Sequence, residues 1–258
     1  MNRSLAIGVA VGAGVGLGIT AAVIVGRGRR RDGAPIARAP ADEVPKDEGL
    51  GCPALEPRGV AEGIAYRSYT PESPGPHPII LMHGRGGSED IMFGELADIV
   101  LPAVQVYPRG PLELGKYFTW AKARSTDPEW PEEQAAAVER MRPFVAWVSR
   151  CLGPPVVAGH SQGAHMAFGM AAAYPELLHA AVGASGALTP ALWRRPGVPV
   201  VAVHGVEDGV VPVANARRMR DELGVELVEV PEAGHGLGGA LEQAFGDALR
   251  RSWSTADV

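Results

Sequence analysis

The residues best suited to chemistry centre on one serine. Gly159-His160-Ser161-Gln162-Gly163 has the spacing G-x-S-x-G and stands directly after the apolar run 155–159 and before a helical pattern. That context suits a sharp, strained turn that lifts a hydroxyl above a sheet edge, with glycines where a Cβ would collide with neighbouring backbone. A structural elbow whose serine merely caps the helix is the competing reading. A serine hydroxyl is a poor nucleophile until a base takes its proton. Asp208 follows the apolar run 198–204, and His235 lies in Ala233-Gly-His-Gly236 after the run 226–230. Three post-strand loops thus carry Ser, Asp and His in the order nucleophile, acid, base. Asp208 would orient the imidazole of His235 and stabilise its protonated form. Glu207 competes for the acid role.

An oxyanion needs two aimed N–H donors. The backbone N–H of Gln162, at the start of a helix, supplies one candidate. The backbone N–H of Arg85, in His83-Gly84-Arg85-Gly86-Gly87 after the run 78–82, supplies the other. A plain glycine-rich turn is the alternative reading of that loop. His83, His160, His165 and His204 read as structural, and their scatter lacks the spacing of a metal site. No metal and no cofactor is expected.

The elements that must hold these groups alternate. Strand-like runs at 63–69, 78–82, 103–107, 155–159, 180–184, 198–204 and 226–230 are separated by helical patterns. The helical patterns fall at 91–101, 131–151, 162–174, 213–223 and 237–253. Pro131 suits the first turn of its helix, and Glu132 and Glu133 suit its positive end. Short apolar strands alternating with helices imply a mostly parallel sheet flanked by helices on both faces, an α/β fold in one domain. Residues 185–197 are too few to insert a large lid.

These motifs together resemble the phospholipase/carboxylesterase family of α/β-hydrolases, which includes acyl-protein thioesterases and bacterial carboxylesterases. They are similar, more distantly, to dienelactone hydrolases. The matching residues are Leu81-Met-His-Gly84 with Gly86-Gly87, Gly159-His-Ser-Gln-Gly163, His204-Gly-Val-Glu-Asp208 with Val211-Pro212, and Gly234-His235, across residues 76–252. The resemblance implies cofactor-free hydrolysis of carboxylic esters or thioesters through an acyl-enzyme on Ser161. An acyltransferase or peptidase on the same scaffold is the alternative, and a catalytically silent membrane-tethered binding module is the rival from another class. The chain departs from the family in having His160 where Phe is frequent, Ala164 where Gly is common, and charged Arg85 where an apolar residue is usual. Lys116-Tyr-Phe-Thr-Trp120 looks like the family's aromatic loop, which makes Phe118 and Trp120 candidate pocket walls or plain core. The open cleft implied by the missing lid suits small to medium acyl groups.

Composition narrows the field. Hydrophobic residues make up 46% and charged residues 21% of 258, which excludes a wholly disordered chain. A net charge of −5 argues against a nucleic-acid partner. Two cysteines, Cys52 and Cys151, form at most one bridge or remain two free thiols.

Residues 5–25 carry no charge and would span about 32 Å as a helix, enough for a bilayer core. Arg27, Arg29, Arg30 and Arg31 follow. We expect an uncleaved transmembrane anchor at 1–30, in competition with a cleaved signal peptide and a buried helix. Gly8, Gly12 and Gly16 have the spacing of a self-associating membrane helix. The arginine block favours a cytoplasmic catalytic domain. A proline-, alanine- and acid-rich linker is expected at 31–57 and the hydrolase domain at 58–258.

Overall fold

Eight strands form one twisted sheet; from edge to edge they are Arg58–Ala61, Ile64–Tyr69, Gln105–Pro108, Ile79–Met82, Val156–His160, Ala180–Ala184, Val200–Gly205 and Glu226–Val230. The structure is a computed structural model that describes Cys52, residues 54–97, Ile99 and residues 101–254. The expected anchor and most of the linker lie outside the described residues. Among the described helices none is long and apolar enough to cross a membrane.

The sheet begins with a hairpin, β1 (Arg58–Ala61) and β2 (Ile64–Tyr69). Glu62 and Gly63 make its two-residue turn with φ of 49° and 75°, the primed geometry that matches strand twist. β3 (Ile79–Met82) leads through α1 (Glu89–Glu95) to β4 (Gln105–Pro108). α1 starts where the Ser88 hydroxyl accepts from the Ile91 N–H at 3.2 Å, and it is shorter than the pattern at 91–101 suggests. A small separate hairpin, β5 (Leu112–Leu114) and β6 (Tyr117–Thr119), occupies what reads in the sequence as loop. There follow α2 (Trp130–Leu152), β7 (Val156–His160), α3 (Gln162–Ala173), β8 (Ala180–Ala184), β9 (Val200–Gly205), α4 (Val213–Leu223), β10 (Glu226–Val230) and α5 (Gly239–Ser254). Strands β4, β3 and β7 to β10 run parallel, while β1 and β2 are antiparallel additions at one edge.

Two apolar layers flank the sheet, and strand periodicity assigns residues to them. Ile80, Met82, Val157 and Ala181 pack with α2 and α3, while Ile79, Leu81, Val156, Ala158 and Val182 pack with α1 and α5. α3 is buried on every side between α2 and the sheet, and its Gly163, Ala164, Ala167, Gly169 and Ala171 permit that close approach. Between β8 and β9 there is only a short 3₁₀ turn, Pro190–Leu192, in keeping with the absence of a large lid.

The two cysteines are joined. Cys52 and Cys151 form a disulfide, with Cα atoms 5.4 Å apart and a sequence separation of 99. It ties the segment before β1 to the last turn of α2. Cross-linking so long a loop contributes about 2–5 kcal/mol. The same segment is bonded elsewhere: the Ser68 N–H donates to Pro57 O, the Ser68 hydroxyl to Glu56 O, and Leu55 packs on the core. The packing of the domain therefore reaches back to Cys52, upstream of the expected boundary at Arg58.

Candidate active site

Ser161 occupies a turn that few sequences could make. β7 ends at His160, α3 begins at Gln162, and Ser161 between them has φ 53° and ψ −114°. A Cβ at Gly163 would lie 2.0 Å from Met82 O, and one at Gly159 2.5 Å from Gly163 C. The Ser161 N–H is anchored to Ala184 O at 2.8 Å. The rigid frame around this strained, half-buried residue directs its hydroxyl to the carboxyl ends of the strands.

The three sequence candidates meet there. Ser161 Oγ lies 2.9 Å from His235 Nε2, and His235 Nδ1 lies 2.9 Å from Asp208 Oδ2 and 3.1 Å from Asp208 Oδ1. The Asp208 side chain is fully buried, whereas His235 is 22% exposed. Asp208 Oδ1 also accepts from the Val210 and Val211 N–H groups, each at 2.8 Å. Burial pushes this carboxyl up, but hydrogen bonds from His235, Val211 and Val210 outweigh it and hold it below the ordinary aspartate value. Asp208 is thus a stable anion facing the imidazole. Glu207, the rival, is exposed, and among the described residues its one hydrogen bond is from its backbone N–H to Ala233 O.

Two histidines read as structural turn out to position this relay. His160 Nε2 donates to His235 O at 2.7 Å, which fixes the loop that carries the imidazole. His204 Nε2 donates to Val211 O at 2.8 Å and lies 3.3 Å from Asp208 Oδ2. It sits against the carboxylate, and its Nδ1 is buried with no hydrogen-bond partner among the described residues. The four-residue separation of His204 and Asp208 is visible in sequence, but nothing there shows that the chain doubles back between them.

The two N–H groups expected to receive an oxyanion are both vacant of partners among the described residues. Gln162 is the first residue of α3, where helix geometry leaves the N–H free. Arg85 lies in the turn before Gly86, whose own N–H donates to Phe118 O at 2.9 Å. His83 braces this turn. Its Nε2 accepts from the Gly110 N–H at 2.9 Å, so Nδ1 carries the proton and donates to Gly84 O at 2.7 Å. Burial pushes the His83 pKa down to about 4, which keeps the ring neutral.

Phe118 and Trp120 do not line the cavity beside Ser161. Phe118 pairs its backbone with Gly86 and Gly87, and its ring lies under the Arg109 guanidinium at 4.5 Å. Trp120 is completely buried, and its Nε1 donates to His83 O at 2.8 Å. Both support the turn at Arg85 from behind. The cavity wall comes instead from Trp130, Ala123, Val210 and Val211, with Arg85 and Arg124 beside them. Sequence gave no sign of Trp130 or Arg124, because the loop at 121–129 is placed by distant contacts. The Gln162 amide accepts from Trp120 N and donates to Ala121 O, and Glu133 accepts from Lys122 N and Ala123 N. No group of three or more His, Cys, Asp or Glu side chains among the described residues could hold a metal ion.

A family model described as phospholipase/carboxylesterase matches residues 69–230. No curated protein matches the chain significantly. Similar solved structures include a carboxylesterase from Mesorhizobium loti, with TM-score 0.63 and 18% identity over 76% of this chain and 99% of that one. The esterase PE8 gives TM-score 0.59 and 22% identity over 73% of this chain and 98% of that one. Acyl-protein thioesterase 2 of Zea mays gives 0.55 and 20% over 73% and 99%. At these identities the structures speak to the fold, and the family model to descent. The order of the strands, the elbow after β7 and the span of the family match agree: the chain belongs to the phospholipase/carboxylesterase family of α/β-hydrolases.

Proposed function

We propose that this protein is a serine hydrolase that cleaves carboxylic esters, and thioesters of similar size, with small to medium acyl groups. The observation that carries the reading is the unbroken hydrogen-bonded line from Ser161 Oγ through His235 to Asp208. In the first half-reaction Ser161 Oγ bonds to the substrate carbonyl carbon while its proton passes to His235 Nε2. The negative oxygen so formed is received by the N–H groups of Arg85 and Gln162. The carbon–oxygen or carbon–sulfur bond to the leaving group breaks, and His235 returns the proton to it. In the second half-reaction water loses a proton to His235 and attacks the acyl carbon. The Oγ–carbon bond then breaks, Ser161 regains a proton, and the carboxylic acid departs. Asp208, held anionic, stabilises the imidazolium in both halves.

The test is covalent. A fluorophosphonate probe should label the wild type at Ser161 and leave Ser161→Ala unlabelled, and kcat on 4-nitrophenyl butyrate should drop roughly 10⁴-fold or more in that variant. Labelling that persists in Ser161→Ala would end this reading.

Residues 5–25 are proposed as a bilayer anchor, on their length and lack of charge. The disulfide between Cys52 and Cys151 supports a compartment where thiols stay oxidised, hence a catalytic domain on the side of the membrane away from the cytoplasm. This is the opposite face from the one favoured by the arginine block. A membrane-impermeant protease applied to intact cells would digest an exported domain and spare a cytoplasmic one.

A further inference from the structure

The cavity beside Ser161 has a volume of about 400 Å³ and a one-sided charge. Arg85 and Arg124 line it, together with Trp130, Ala123, Val210 and Val211, and no carboxylate does. Both arginines are exposed, and neither is in an ion pair among the described residues. Many arginines elsewhere in the domain are matched with acids, among them Arg109 with Glu89, Arg217 with Glu229 and Arg218 with Glu222, but of these none lines the cavity. Of the acids in and next to the cavity loop, the exposed Glu129 and Glu132 do not line the cavity, and Asp127 and Glu133 are occupied. Asp127 Oδ2 accepts from the Arg124 N–H at 2.7 Å, and Glu133 Oε2 accepts from the Lys122 and Ala123 N–H groups. The guanidinium of Arg85 is also fixed in place, since its Nη2 donates to Lys122 O at 2.9 Å. Two cations without an acidic partner among the described residues, one of them held by its bond to Lys122 O, stand beside an apolar wall and are the complement of a short apolar chain ending in an anion.

We infer that the preferred substrate is an ester that carries a second, free carboxylate, clamped by Arg85 and Arg124 while its carbon chain lies along Trp130 and Val210. The inference rests on the hydrolase reading and narrows it to a substrate class. The carboxylate can belong to the acyl part or to the alcohol part of the ester. Guanidinium pairing with it needs no new residue and no metal. It adds binding at a distance from the reacting carbonyl, which holds that carbonyl against Ser161.

Two matched pairs of esters test this. Mono-4-nitrophenyl glutarate against 4-nitrophenyl valerate places the charge on the acyl part, and 3-carboxyphenyl butyrate against phenyl butyrate places it on the alcohol part. In at least one pair the wild type should favour the charged member in kcat/KM by about tenfold or more. That preference should shrink towards unity in the double variant Arg85→Gln with Arg124→Gln, persist in large part in Arg85→Lys with Arg124→Lys, and weaken in about 0.5 M salt. Equal or faster turnover of the neutral members in both pairs would overturn the inference and leave the hydrolase reading intact, as would a preference untouched by the double glutamine variant. Failure to cleave all four esters, together with failure of the fluorophosphonate to label Ser161, would overturn both.

Discussion

The elbow at Ser161 and the loop at 121–129 border the same cavity but are held by different means. The elbow is fixed by its own backbone, since its glycines touch Met82 and each other at distances no Cβ tolerates. The loop has little regular structure. It is held by side chains from elsewhere: Gln162 on Trp120 and Ala121, Glu133 on Lys122 and Ala123, Arg140 on Trp120 O, and Arg85 on Lys122 O. The Ser161 hydroxyl is therefore placed by local geometry, and the cavity wall by a network spread along the chain. On the proposed mechanism, this division separates the nucleophile, which the backbone fixes, from the wall, which can change with substrate.

The largest effect should follow from the relay itself. Asp208→Asn keeps the shape but removes the anion that Val210, Val211 and His235 address. We expect kcat to fall by about 10⁴-fold, the scale seen when the acid of a serine triad is amidated. Steady-state rates on 4-nitrophenyl butyrate measure this, and a loss below tenfold would show that Asp208 does not serve the imidazole.

The next tests separate the two regions. Gly163→Ala drives a methyl group into Met82 O and should cost about 3 kcal/mol of stability, read from urea melts. Gly236→Ala, on the same rim with open space around it, should stay within about 0.5 kcal/mol of the wild type. Similar losses from both would mean the elbow is not held by close packing. Glu133→Ala should act the other way. It frees the Lys122 and Ala123 N–H groups and loosens the loop, so kcat/KM on the carboxylate-bearing ester should fall about tenfold. Labelling of Ser161 by the fluorophosphonate should continue, because the elbow does not depend on Glu133. Loss of labelling would merge the two regions into one.

The same division explains what could be read before the structure. The G-x-S-x-G spacing, the order of Ser161, Asp208 and His235, and the alternation of strands and helices are local patterns. α4 at Val213–Leu223, β8 at Ala180–Ala184 and β10 at Glu226–Val230 fall where the pattern puts them. The hairpin β5–β6 escaped because its strands are three residues long and show no clear alternation. Trp130 and Arg124 escaped because the cavity they line is completed by Ser161, Val210 and His235, far along the chain. His204 read as structural without a stated partner, since its bearing on Asp208 depends on the turn at Val211. The disulfide was open between one bridge and two thiols, because the approach of Cys52 to α2 is a tertiary event.

Acid sensitivity probes both regions through one residue each. His83 braces the turn at Arg85, and His165 pairs with the Ala187 backbone with its ring 5.1 Å from Trp130. Burial pushes each pKa down to about 4 from a reference of 6.5. Below pH 6.5 the unfolded chain gains a proton at each site that the folded chain does not take up until about pH 4. Stability should therefore be complete at neutral pH and decline as pH falls through that window, by up to about 1.4 kcal/mol per pH unit for each histidine. Urea midpoints at several pH values measure the slope. His83→Gln and His165→Gln should each remove about half of the histidine part, on top of a fixed loss from their hydrogen bonds. A slope that His165→Gln leaves unchanged would mean that His165 can be charged in place, and the cavity side would then be wetter than its packing against Trp130 and Ala187 implies.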